Sequence, residues 1–189
     1  MEMGALDGVR GSNTYMFDVG LGWTGTLIEA TPSDYASIAQ NRPNTQHFNA
    51  AVCSSAGVVH AVEGRGEVDG IWEFMDEQFR KQFHAGFNVN DLHEVPCRPL
   101  DAILAKAGIP FYDLFSLDVE GAEYSVLETV DFSKVAFGVI VVEAWTALKG
   151  QVRKDLAVRA ILERNGYHDE WNEYYINAAF DLIYRGLIY

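Results

Sequence analysis

At 189 residues the chain is long enough for one domain with a substantial core. Its 49% hydrophobic and 22% charged residues are those of an ordinary globular fold. The formal net charge of −13 argues against nucleic acid, which needs a lysine and arginine footprint, and against docking on an anionic membrane.

No apolar run approaches the roughly 20 residues of a membrane span. The first residues are acids and glycines, not the basic-then-apolar pattern of a secretory signal. Cys53 and Cys97 show neither a disulfide framework nor metal-ligand spacing. Free thiols in a reducing, cytoplasmic compartment are therefore expected.

The chain opens on Glu2-Met-Gly-Ala-Leu-Asp-Gly8, a glycine turn flanked by acids. Residues 9–23 read as the following helix and its turn, whose N-terminus would offer N–H groups to an anionic ligand group. Only Met1 to Gly4 precede the turn, whereas a buried strand usually runs 4–8 residues. Either the first strand is short or the domain is excised from a longer chain, and the second reading is preferred. Residues 26–30 form a strand, Pro32 opens a helix to about Asn41, and residues 46–52 are the third strand. Residues 58–62 are β-prone and suit a hairpin with residues 93–97.

Between them, residues 63–92 carry Trp72, Phe74, Phe79, Phe83 and Phe87 among acids and glycines. This insertion suits a lid or acceptor-binding segment, and equally a helix over 72–83 packed on the core. Beyond it come a helix (99–107), a buried strand (111–117), a helix (122–130) and a β-branched strand (137–142). A helix over 151–165 follows, with apolar spacing at Val152, Leu156, Ile161 and Leu162. Residues 173–176 and 179–184 are expected to pair antiparallel at a sheet edge. Strands alternating with helices predict a single α/β domain over 1–189, with a mainly parallel sheet and helices on both faces.

Glu2, Glu29, Asp118 and Glu143 each end, or lead out of, an expected strand. In open parallel sheets, ligands bind beyond the carboxyl ends of the strands, so these acids point to a ligand rim. An acid closing the second strand commonly takes both hydroxyls of a ribose. A glycine turn with such an acid implies an adenosine-type cofactor. The spacing is not G-x-G-x-x-G, and Glu2 and Asp7 crowd the place of a pyrophosphate, which weakens NAD. A cationic sulfonium with an ammonium group, S-adenosylmethionine, suits the acidic field better.

Several motifs together resemble FkbM-type methyltransferases. They are Glu2-Met-Gly-Ala-Leu-Asp-Gly-Val, Ser12-Asn-Thr14, Leu21-Gly-Trp-Thr-Gly-Thr-Leu-Ile-Glu29, Asn41-Arg-Pro43, Ala50-Ala-Val52, Ser116-Leu-Asp-Val-Glu-Gly-Ala-Glu123 and Val139-Ile-Val-Val-Glu143. The resemblance implies a Rossmann-like class I fold, with a seven-stranded sheet parallel but for one reversed strand near the C-terminus. It implies that Glu2, Gly4 and Ala5 line the methionine part of the cofactor, with Asp7, Ser12 and Asn13 close by. Glu29 would hold the ribose, Ala51 and Val52 would lie beside the adenine, and Asp118 would face the turn.

Methyl transfer from a sulfonium needs an aligned acceptor and, for a hydroxyl, a base. Asp118 is the first candidate, with Glu120, Glu123 and Glu143 as reserves and His93 or His84 if the insertion closes over the site. Asp118 and Glu143 could instead ligate Mg or Mn, which favour oxygen ligands. The competing reading, preferred here, has Glu120 or Glu123 capping the helix after Gly121 and no metal bound.

The expected activity is O-methylation of a sugar or glycosylated small-molecule acceptor, without nucleic-acid or membrane partners. The alternatives are N-methylation, or a cofactor-binding module that acts only with further domains of a glycan-modifying polypeptide.

Overall fold

The computed structural model describes residues 1–143, 151–169 and 174–177. A central sheet is built from β1 (Glu2–Met3), β2 (Thr26–Glu29) and β3 (Gln46–Asn49), with α1 (Pro32–Asn41) between the last two. The chain then forms β4 (Ala51–Val52), β5 (Gly57–Val62), β6 (Gly70–Ile71), α2 (Glu77–Phe83) and β7 (His93–Arg98). It returns through α3 (Leu100–Ala107), β8 (Phe111–Leu117), α4 (Glu123–Leu127) and β9 (Ala136–Val142). The described residues end with α5 (Gln151–Arg164), β10 (Tyr167–Asp169) and β11 (Tyr174–Asn177).

The central order is β10-β11-β9-β8-β1-β2-β3, in which β3, β2, β1, β8 and β9 pair in parallel. This is an α/β fold with a mostly parallel sheet. Two-residue β1 sits in the middle: Met3 is in register with Ile28 on one side and Leu117 on the other. Consecutive strand side chains point to opposite faces. Leu27 accordingly shares an apolar cluster with Ile38 of α1, while Ile28 shares another with Leu100 and Ile103 of α3. Helices therefore cover both faces.

β11 runs antiparallel to β9 and to β10, with Tyr175 opposite Ile140. Strand β10 was not foreseen, and residues 179–184 lie outside the described residues. Tyr167 in β10 accepts the Phe137 N–H at its hydroxyl (3.0 Å), which ties this edge to β9. On α5 the buried stripe is Val158, Ile161 and Leu162, and Leu156 is exposed instead of packed as its spacing suggested.

Residues 9–23 do not form an α-helix; they turn repeatedly and make only a five-residue π-type turn at Met16–Gly20. The Asp7 carboxylate accepts the N–H groups of Val9 (2.9 Å) and Arg10 (2.8 Å), and Gly11 sits at φ +66. Local side-chain bonding and left-handed backbone divert the chain from the helix. The expected helix N-terminus for an anionic group is absent with it.

The single strand expected over 46–52 is two. β3 ends where the Asn49 side chain donates to the carbonyls of Glu29 (2.9 Å) and Ala30 (3.1 Å). The chain then crosses to a second sheet, ordered β4-β7-β5-β6. Here the expected hairpin of 58–62 with 93–97 forms, with Val59 opposite Val95. Because β4 pairs β7 with Ala51 opposite Cys97, Cys53 and Cys97 come together, Cα atoms 5.9 Å apart, in a disulfide. This corrects the expectation of free thiols and removes the ground on which a reducing compartment was inferred.

Within 63–92, the short α2 buries Phe79, which packs with Met75 and Val62 against Trp72, Phe83 and Phe87. Arg80 lies 4.3 Å over the Trp72 ring. Part of the insertion thus packs around a small apolar cluster with Val62 of β5. Among the described residues no helix is long and apolar enough to cross a membrane.

Candidate active site

The parallel strands β1, β2, β8 and β9 end in one cavity of about 370 Å³, bordered on one side by the insertion. Gly4, Asn13, Glu29, Ala51, Val52, Asp118, Glu120 and Glu143 all line it. Its size is within the range of small-molecule sites. Residues 67–71 and Phe74 supply the insertion's wall.

Glu29, at the end of β2, is almost fully buried. Its carboxylate accepts backbone N–H groups from Leu6 (2.8 Å) and Thr31 (2.7 Å). Burial pushes its pKa up to about 7 against those hydrogen bonds, which favour the charged form. A Thr31 side-chain hydrogen bond also favours the charged form, and Glu29 lines the cavity. Ala51 and Val52, just past the point where the chain changes sheets, give the cavity an apolar wall.

Four residues expected at the cofactor do not reach the cavity. Glu2 accepts from the Ser12 hydroxyl (2.6 Å), the Asn13 N–H (2.7 Å) and the Thr14 hydroxyl (2.6 Å), so its carboxylate is committed to the 12–14 loop. Ser12 is held with it, Asp7 is spent on its own turn, and Ala5 packs with Leu27 and Ile38. Asn13 does line the cavity, and its amide donates to Ser116 Oγ (3.0 Å).

Gly4 sits at φ +79, and a Cβ there would fall 1.7 Å from the Asp118 carbonyl oxygen. The glycine is required by the approach of two strand exits, and the same approach brings Asp118 to the turn. Arg42, which sequence reasoning did not single out, is the pin of the loop. Buried, it pairs with Asp18 (2.5 Å) and donates to the Gly8 carbonyl (3.1 Å), Ser12 Oγ (3.3 Å) and Thr14 Oγ1 (3.3 Å). Its only signal was its place in the Asn41-Arg-Pro43 motif.

Asp118 and Glu143 follow the last paired residues of β8 and β9, Leu117 and Val142. Their carboxylates, with that of Glu120, come within 4.8 Å of one another. Burial raises the Asp118 pKa first, and the Glu143 charge and hydrogen bond raise it further. Burial and the Glu143 and Asp118 charges push Glu120 up to about 9. Like charges this close cannot all ionise without a cation.

Glu120 has φ +53 and a buried Oε2 without a partner among the described residues. Glu123 explains the turn: its Oε1 accepts the Val119 N–H (3.2 Å) and the Gly121 N–H (3.1 Å). It anchors the loop and is not a free acid.

Neither histidine lines the cavity. His93 is exposed at the start of β7, 3.6 Å from Glu63. His84 is buried with Nε2 3.0 Å from the Val68 carbonyl. It supports the wall from behind.

Residues 2–168 match the family model described as the methyltransferase FkbM domain. No curated protein and no solved structure matches the chain. A match over most of the length, on a fold whose cavity joins these strand ends, shows that the chain belongs to the FkbM methyltransferase family.

Proposed function

We propose that this chain is an S-adenosylmethionine-dependent O-methyltransferase acting on a hydroxyl of a sugar or glycosylated metabolite. The observation that carries the reading is one cavity lined both by the buried Glu29 carboxylate and by the group of Asp118, Glu120 and Glu143. The order of the described strands, with β11 reversed, supports the class I methyltransferase reading of the fold.

The bound cofactor supplies an electrophilic methyl group on a sulfonium. Glu29 would take the ribose hydroxyls, Ala51 and Val52 would flank the adenine, and Gly4 and Asn13 would border the methionine part. Asp118, backed by Glu143, would accept the acceptor's proton, since a raised pKa suits a base working near neutral pH. The insertion over 63–92 would close the acceptor side.

The test is calorimetric titration with S-adenosylhomocysteine, then a methyl-transfer screen over sugars, glycosides and phenols with and without EDTA. Absence of S-adenosylhomocysteine binding removes the proposal. Loss of turnover in EDTA would assign the carboxylates to a metal instead of to proton transfer.

A further inference from the structure

Cys53 directly follows β4, and Cys97 is the next-to-last residue of β7. The bond between them spans 44 residues of sequence, and β5, β6 and α2 all lie inside that span. It therefore closes the segment that leaves the central sheet after β3 and returns to it through α3. Two walls of the cavity connect to this bond. Ala51 and Val52, the whole of β4, line the cavity, and among the described residues β7 is the strand that pairs with β4. Cys97 is buried in an apolar cluster with Ala51, Ala61 and Ile71, and Ile71 of β6 lines the cavity on the insertion side. The bond is thus joined directly to one wall and, through β7, β5 and β6, to the other.

β4 has little else to fix it. Its pairing covers Ala51 with Cys97 and Val52 with Arg98, followed by the Cys53 N–H donating to the Arg98 carbonyl (3.3 Å). A cross-link removes conformational freedom from the open chain, more so for a long loop, so it weighs heavily on so short a strand. The two sulfurs differ in access. Cys97 is 2% exposed, whereas Cys53 is only partly buried and leads into the exposed run 54–58. The Ser55 carbonyl oxygen lies 2.8 Å from Cys53 Sγ, so a thiol released there has an acceptor within its own turn.

We propose that the Cys53–Cys97 bond is a reversible redox site, opened by a dithiol reductant, and that its state sets how firmly the cavity walls are held for ligand. A thiolate of the reductant attacks the accessible Cys53 Sγ. The sulfur–sulfur bond breaks, and its electron pair leaves on Cys97 Sγ, which takes up a proton. The second thiol of the reductant then displaces Cys53 Sγ from the mixed disulfide, and Cys53 is protonated in turn. The reductant ends as its own disulfide, and two electrons have passed to the cysteine pair. With the cross-link open, β4 and the insertion wall loosen together, and ligand is held less tightly.

The test uses the whole chain purified without reductant. Thiol counting under denaturing conditions should find none before dithiothreitol treatment and both cysteines after it. Hydrogen exchange is then read on the ligand-free protein, an arm independent of the S-adenosylmethionine reading. Amides of β4 and β6 should exchange faster after reduction and recover on reoxidation. S-adenosylhomocysteine titration is the arm that rests on that reading. Its Kd should rise roughly tenfold on reduction, as when the walls are formed in about one molecule in ten. If the oxidised protein binds no S-adenosylhomocysteine, the cofactor reading falls by itself and hydrogen exchange decides the redox site. Cys53→Ser combined with Cys97→Ser should match the reduced protein and ignore dithiothreitol. Should that variant not fold, wild type carried through reduction and reoxidation makes the same comparison. Free thiols in the untreated protein, or a bond that dithiothreitol leaves intact in the native state, would overturn the proposal. So would unchanged exchange at 51–52 and 70–71 after reduction, an S-adenosylhomocysteine affinity equal in both states, or a dithiothreitol response that persists in the double variant.

Discussion

Replacing Glu29 by Gln tests whether a buried, raised-pKa carboxylate organises the β2 end of the cavity. The amide keeps one acceptor for Leu6 or Thr31 but turns an N–H donor toward the other, leaving a buried donor unpaired. That costs about 1–3 kcal/mol. Against it, the wild-type group carries a burden of its own. Its folded pKa of about 7 lies above the ordinary glutamate value of 4.5. The native state therefore binds more protons than the unfolded state between those values, and stability from this group is lost as pH rises through 7. Between pH 5 and pH 8 the loss is about 2–3 kcal/mol, which the Gln variant does not suffer.

In urea unfolding of the ligand-free protein, Glu29→Gln should thus be clearly less stable than wild type at pH 5 and close to it at pH 8. A stability difference that does not change with pH would refute the reasoning. In the same variant at pH 8, S-adenosylhomocysteine affinity should fall about ten- to a hundredfold, the range for charged hydrogen bonds. Unchanged affinity would remove Glu29 from the ribose site.

Three further outcomes can be checked. With its raised pKa, Glu120 likewise stabilises the fold only at lower pH, so the melting temperature of ligand-free protein should fall as pH rises from 6 to 9. Glu120→Gln should flatten that fall, and an equally steep profile would count against the crowded carboxylates. Arg42→Met should cost about 3 kcal/mol in urea unfolding by leaving Asp18 without its buried partner. Adding Asp18→Asn should recover part of this, and additive losses would break the inferred coupling. Gly4→Ala should destabilise by more than about 3 kcal/mol, combining left-handed strain with a clash against the Asp118 carbonyl. A melting curve near wild type would show that the strand exits can part.

Much of the architecture was legible because local rules and tertiary packing agree. Pro32 opens α1, residues 26–29, 111–117 and 137–142 are strands, and the β-prone 58–62 pairs with 93–97 as expected. Where they disagree, the reading missed. In residues 9–23 the Asp7 turn and left-handed glycines replace the expected helix, and in 46–52 a side-chain amide stops one sheet and releases the chain to another.

The site divides in the same way. Sequence alone determined that acids stand at the ends of β2, β8 and β9, because strand ends and residue types are local properties. It also showed that their company resembles one methyltransferase family. Which carboxylates face the cavity was decided only by three-dimensional packing. Glu2 looked like a ligand group until the 12–14 loop and Arg42 closed over it, and Glu123 looked like a reserve acid until two backbone N–H groups claimed it. Cys53 and Cys97, 44 residues apart, meet only because β4 pairs with β7. A carboxylate's availability depends on which hydrogen bonds the rest of the chain brings to it, and those donors are distant in sequence.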